Sequence, residues 1–339
     1  MKKHLTIIIL VFLIIKIHSQ DKSLFRAVYP IGDRQALGYK TNIKSSNETI
    51  IFEASPILRM PFFNNIRERF MDKKDKKGTT LYIGFNPTLR MYNDSSRPVR
   101  TPSYKIGLGY QELHRINNKN SDKGHFFSYM LESGHYSNGQ NNSAFSNSIV
   151  DGTPESEQVY QSINSGTNLS NILNRESGNF STNFTEIALS YRIVEFDENI
   201  TPISGTKFNL SWNRFHNNLL HLFDIGGYTK EDINIYGKNR FKLGIEQFCA
   251  LSEKGFLKNK LHFDRVSFNL DYEYIYKPHP FVNPSRFELT AISYFENNVG
   301  LFISGIYGHD NYNYRFVDSG FQLFLGLTFD IFPPFEMGN

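Results

Sequence analysis

His135 and Ser137 are the pair in this chain best placed to do chemistry together. They stand two apart in a segment that alternates. One face carries Phe127, Tyr129, Leu131, Ser133, His135 and Ser137, and the other Ser128, Met130, Glu132, Gly134 and Tyr136. Residues i and i+2 of a strand share a face at roughly 6.5 to 7 Å, close enough for an imidazole to take a hydroxyl proton and activate a serine nucleophile. A third group should orient the imidazole, and the next alternating segment offers Asn183, on the face of Thr185, Ile187, Leu189, Tyr191 and Ile193. If the two segments are neighbouring strands, Asn183 lies about 4.8 Å from the histidine's strand, where its amide oxygen can accept the imidazole N–H. The competing third member is Asn213, in Ser211-Trp212-Asn213-Arg214; Phe208, Leu210 and Trp212 define the apolar face there and leave Asn213 on the opposite one with Lys207 and Asn209. Glu186 fails by the same parity and fits a polar interior.

Such residues need strands to hold them, and the chain is rich in strand signals. Alternating segments about ten residues long, separated by Asn/Asp/Gly/Ser/Lys clusters, are expected at roughly 48 to 62, 79 to 93, 103 to 116, 125 to 137, 182 to 194, 206 to 216, 239 to 252, 265 to 277, 286 to 297, 299 to 312 and 320 to 332. A less regular one near 23 to 41 would make about twelve, an even number as single-chain membrane barrels use. The stretch from Asn138 to about Asn179 is a long Asn/Ser/Gly-rich connection directly after His135-Tyr136-Ser137, and loops of that length are functional or disordered.

Composition and the N-terminus decide what kind of strand protein this is. Lys2 and Lys3 precede an apolar run from Leu5 to Ile17 and then His18, Ser19 and Gln20, the pattern of a secretory signal peptide over residues 1–19. No later stretch approaches eighteen apolar residues, so membrane residence must use strands. Residues 20–339 then form one barrel. Phe (31) and Tyr (19) bring aromatics to 15% of the chain, yet the mean hydropathy is only -0.41. Aromatic girdles around a polar lumen give that combination. Parity in such a barrel sends the apolar face to lipid, so His135, Ser137 and Asn183 lie on the outer wall. The expected fold is an all-β transmembrane antiparallel β-barrel. A lone cysteine, Cys249, excludes an internal disulfide framework. A net charge of +4, with its lysines clustered only at Lys73, Lys74, Lys76 and Lys77, leaves nucleic-acid binding unsupported; that cluster suits lipid head groups or solvent.

With these residues in hand, His135-Tyr136-Ser137-Asn138-Gly139 resembles the His-x-Ser-Asn-Gly signature of the outer-membrane phospholipase A family. Asp94-Ser95-Ser96-Arg97-Pro98-Val99-Arg100 with Gly107-Leu108-Gly109-Tyr110, and Ser304-Gly305-Ile306-Tyr307-Gly308 with Asp310-Asn311-Tyr312-Asn313-Tyr314 and the last strand, resemble the family's preceding loop and strand and its C-terminal hairpin. The resemblance spans about residues 80 to 335 in order. It implies hydrolysis of phospholipid acyl esters in the bacterial outer membrane by Ser137 as nucleophile, His135 as base and Asn183 as orienting group, with the Gly139 N–H at the oxyanion. It also implies Ca2+ and a calcium-dependent homodimer. By position the ligands would be the backbone carbonyl of Gln140, a loop hydroxyl, and Ser95 from a partner barrel. Here the connecting loop is enlarged, Gln140 stands where the family has Arg, and Asn179 where it has Ser, so Asn179, Ser177 or Ser181 would supply the missing ligand.

Two other readings compete. A passive barrel, porin or adhesin, would place its working residues in the lumen. A lipid A deacylase-like barrel esterase would have about eight strands and an outward carboxylate, which the parity reading does not find. His114, His125 and His309 read as interface or loop residues, and Asp310 to Tyr314 as a marker of the fold.

Overall fold

The structure, a computed structural model, describes residues 34–42, 49–66, 69, 76–94, 99–116, 123–198, 201–223, 225–296 and 298–329. The signal-peptide expectation, Ser95, Lys73 and Lys74 lie outside them. The described strands are β1 (Ala36–Asn42), β2 (Ile50–Ser55), β3 (Leu58–Asn64), β4 (Lys77–Tyr92), β5 (Ser103–Arg115), β6 (Lys123–Ser137), β7 (Ser181–Phe196), β8 (Pro202–His216), β9 (Asn239–Ala250), β10 (Phe263–Tyr276), β11 (Ser285–Phe295), β12 (Val299–His309) and β13 (Ser319–Phe329).

Each strand from β3 to β13 pairs with the next, β13 returns to β1, β1 to β2, and β2 lies along β4 beside β3. The sheet is therefore closed and antiparallel throughout. β2 and β3 are two halves of one stave, broken at Pro56, where the chain has no N–H to give a ladder. Thirteen strand segments thus make a twelve-strand barrel. Closure leaves no unpaired edge, the condition for a sheet to stand in hydrocarbon.

The alternation sorts as expected. Outward positions are apolar, with Leu131 47%, Ile187 43%, Leu243 54% and Leu289 61% exposed. Inward positions between them hold buried Glu132, Glu186, Arg90 and Arg286. An apolar wall around a charged lumen is the arrangement of a barrel surrounded by lipid. Among the described residues no helix is long and apolar enough to cross a membrane.

The lumen charges are paired. Arg90 donates to both oxygens of Asp310, at 2.5 and 2.8 Å, and to Glu53, which also accepts from Lys40 Nζ at 2.8 Å. The Arg90 guanidinium also stands 4.1 Å from the centre of the Tyr312 ring. This cluster joins β1, β2 and β4 to the segment after β12, across the seam where the barrel closes.

One end of the barrel is filled. The connection 138–180 is ordered, with helices Pro154–Ser162 and Leu169–Ile172. Its Phe145, Leu169, Leu173 and Phe180 pack with Phe215, Tyr228, Tyr236 and Phe316 into one apolar cluster over the lumen. His309 corrects an expectation. It is fully buried and bonds the Asn283 carbonyl and Glu273, because Gly308, at φ +128, breaks the alternation just before it. His125 bonds Tyr191 on the outer wall at 2.7 Å, as an interface residue would.

Candidate active site

β6 and β7 pair without interruption from Lys123 opposite Glu195 to Ser137 opposite Ser181, and this register sets His135 directly across from Asn183. The long insertion does not disturb it because Asn138 continues the ladder past the strand ends. Its N–H donates to the Phe180 carbonyl, its amide nitrogen to the Gly178 carbonyl at 2.6 Å, and its amide oxygen accepts from Phe180 N–H at 3.0 Å. Loop length therefore has little bearing on the geometry at its base.

His135 Nδ1 lies 3.0 Å from Asn183 Oδ1. Which amide atom faces the ring follows from the surroundings. Asn183 Nδ2 meets the carbonyl oxygens of Asn217, Ile225 and Gly226 at 2.5, 2.8 and 2.6 Å, all in the β8–β9 connection. Three acceptors require the nitrogen on that side, so the oxygen faces His135 and can only accept. Nδ1 then carries the imidazole proton, and Nε2 is left with its lone pair free for base chemistry.

Ser137 is half-buried, on the same outward face as His135, and its hydroxyl is tied to no other side chain among the described residues. Two residues on, Gly139 is exposed with φ +65, and its N–H has no partner among the described residues. A serine hydroxyl, an imidazole of fixed orientation and the exposed Gly139 N–H thus share one strand end. Asn213 is in the lumen, donating to Glu186 at 3.3 Å, so it does not meet His135.

The expected picture needs two corrections. Asn183 points outward yet has no exposed surface, because the β8–β9 connection covers it rather than lipid. The outer wall also carries a carboxylate after all. Glu112 shares the outward face of β5 and is held by Lys77, Tyr110 and His114. It sits six residues along β5 from Ile106, the partner of His135, or roughly 20 Å away. It cannot orient that imidazole.

The implied calcium ligands are less well assembled. Asn179 donates its amide to Asp151 at 2.7 Å, Gln140 turns its amide back on the Asn138 carbonyl, and Ser177 accepts from Asn142. Ser181 faces Ser137 across the strand pair. Among the described residues no group of three or more His, Cys, Asp or Glu side chains gathers for a metal. Calcium sites draw affinity from carboxylate charge, and the neutral oxygens on this chain do not by themselves fit it.

Sequence parity missed the layer that covers the pair. His216 follows Asn183 in the cross-strand row, its ring stacks on His221 at 4.0 Å, and both Nε2 atoms lie 3.0 Å from Thr185 Oγ1. The available signal was His216-Asn217-Asn218 at a strand end, with Gly226-Gly227 ten residues on.

No family model matches the chain, and no curated protein does. Solved structures similar to it are outer-membrane barrels. Outer membrane phospholipase A from Escherichia coli is 11% identical over 92% of this chain and 98% of its own, with a TM-score of 0.47. The calcium-bound outer membrane phospholipase dimer from Salmonella typhi is 11% identical over 92% and 98%, TM-score 0.45. LpxR from Salmonella typhimurium is 9% identical over 83% and 88%, TM-score 0.34. Likenesses this faint carry no functional argument, which rests on the site itself.

Proposed function

We propose that this chain is an outer-membrane phospholipase, cleaving acyl esters of the lipid around it with Ser137, His135 and Asn183. The observation that carries the reading is the His135–Asn183 bond on the outward face, with the imidazole tautomer set by three carbonyls behind the amide. His135 Nε2 takes the Ser137 hydroxyl proton as Oγ attacks the ester carbonyl carbon. The Gly139 N–H receives the oxyanion in this reading. The imidazolium returns its proton to the departing lysolipid alkoxide, and water then repeats the sequence to release the fatty acid and free the serine. Substrate reaches an outer-wall serine by lateral diffusion in the leaflet. A passive pore is disfavoured because an apolar cluster fills one mouth of the barrel.

The test is hydrolysis of a phospholipid ester by the detergent-solubilised barrel beside variants. Asn183→Ala is expected to lower the rate roughly 10²-fold or more, and the lumenal control Asn213→Ala to leave it within about twofold. Equal effects of the two would contradict the assignment.

Calcium enters this reading only as an ion shared between two barrels, because the neutral oxygens of one chain near Gln140 and Asn179 do not hold it alone. A chelator is therefore expected to leave the monomer's Ser137-dependent hydrolysis in place and to remove only the enhancement that accompanies dimerisation. Rates measured with and without chelator at low and high protein-to-detergent ratio check this. Complete loss in the monomer would show that one chain binds the ion.

A further inference from the structure

Asn183 and His135 are held from the outer side by backbone, in the β8–β9 connection. Gly226 is where the hold is tightest. Its carbonyl accepts from Asn183 Nδ2 at 2.6 Å, and its Cα lies against the imidazole edge. A Cβ there would stand 2.7 Å from His135 Cε1 and 3.1 Å from Nδ1. Its φ of +65 is in the left-handed region, which glycine enters freely and alanine does not. A second attachment keeps the connection on the wall. His221, with φ +59, stacks on His216 and shares Thr185 with it.

Resting on the phospholipase reading, we propose that Gly226 is a positioning residue. It clamps the amide of Asn183 and the edge of the His135 ring, so that the imidazole presents Nε2 to Ser137 in one orientation. Only a residue without a side chain can approach the ring this closely while giving its carbonyl to the same amide. The clamp also explains why an amide occupies position 183. A carboxylate there would turn one oxygen toward three carbonyl oxygens with no donor among them, a buried acceptor left unsatisfied.

The experiment measures kcat and KM of the purified full chain on a short-chain p-nitrophenyl ester, which removes lipid access from the reading. Gly226→Ala is expected to lower kcat about 10²-fold through displacement of the ring, with KM within about twofold. In an Asn183→Ala background, where the imidazole has already lost the acceptor that orients it, it is expected to cost far less than in the wild type, the signature of two residues acting on one ring. An unchanged kcat, or losses that multiply in the double variant, would overturn the proposal. Folding of each variant is checked by heat-modifiable gel mobility. If Gly226→Ala does not fold, His221→Ala, which frees the second attachment, is expected to lower kcat roughly tenfold, and an unchanged rate overturns the proposal in the same way. A wild type without Ser137-dependent hydrolysis would instead overturn the phospholipase reading itself.

Discussion

Ser137→Ala is expected to abolish ester hydrolysis, by at least about 10³-fold, in a barrel that folds as the wild type does. The expectation has two halves. The hydroxyl is tied to no other side chain among the described residues, and Ser137 pairs with Tyr104 and Ser181 through backbone alone, so its removal takes nothing from the ladder. The His135–Asn183 bond does not involve it. Chemistry, by contrast, has no second free serine on this strand, since Ser133 donates its own hydroxyl to the Phe184 carbonyl at 2.9 Å. His135→Ala should lose nearly as much, and the double variant little more, because nucleophile and base act as a unit. Residual hydrolysis within about tenfold of wild type in Ser137→Ala, against the large loss that removing a nucleophile brings, would contradict the mechanism.

Arg90→Met is the substitution expected to damage the barrel most. Arg90 is 1% exposed and pairs with both Asp310 and Glu53, so its removal strands the buried Asp310 carboxylate and leaves Glu53, among the described residues, Lys40 alone as an ion-pair partner. Breaking a buried pair by deleting one partner costs about 3–5 kcal/mol. The loss should reach the site through a specific route. Asp310 and Tyr312 lead to Asn313, whose N–H donates to the Tyr136 hydroxyl at 2.8 Å, and Tyr136 is the lumenal residue between His135 and Ser137. The urea midpoint of folding into detergent or lipid is the measurement, and a shift no larger than that of Asn213→Ala would refute it.

Much of this was legible in the sequence because a closed sheet obeys a period of two. The alternation around Leu131 and Ile187 located β6 and β7 to within two residues, and the same parity separated Asn183 from Asn213. What parity could not carry was anything set by a connection. The chain from His216 to Gly227 has no alternation, so parity shows neither its carbonyls over Asn183 nor its histidine stack, and it points Asn183 at lipid although the side chain is covered. His309 was misplaced for a related reason, since one glycine with an unusual φ shifts the face of the residue after it. The outward Glu112 shares the parity of Ile106 and Leu108, but the sequence does not show that Lys77, Tyr110 and His114 hold it. Asp310 to Tyr314 marked the fold in the sequence, and the Arg90 cluster with the Asn313–Tyr136 bond supplies the physical reason.

The central claim is that Ser137 is a nucleophile activated by His135 on the outside of the barrel. A long-chain alkyl fluorophosphonate, which phosphonylates only an activated serine, tests it directly when the labelled peptide is identified by mass spectrometry. The expected result is a single adduct on Ser137, lost in His135→Ala and strongly slowed in Asn183→Ala. An adduct on another residue, or labelling of Ser137 undiminished in His135→Ala, would contradict it.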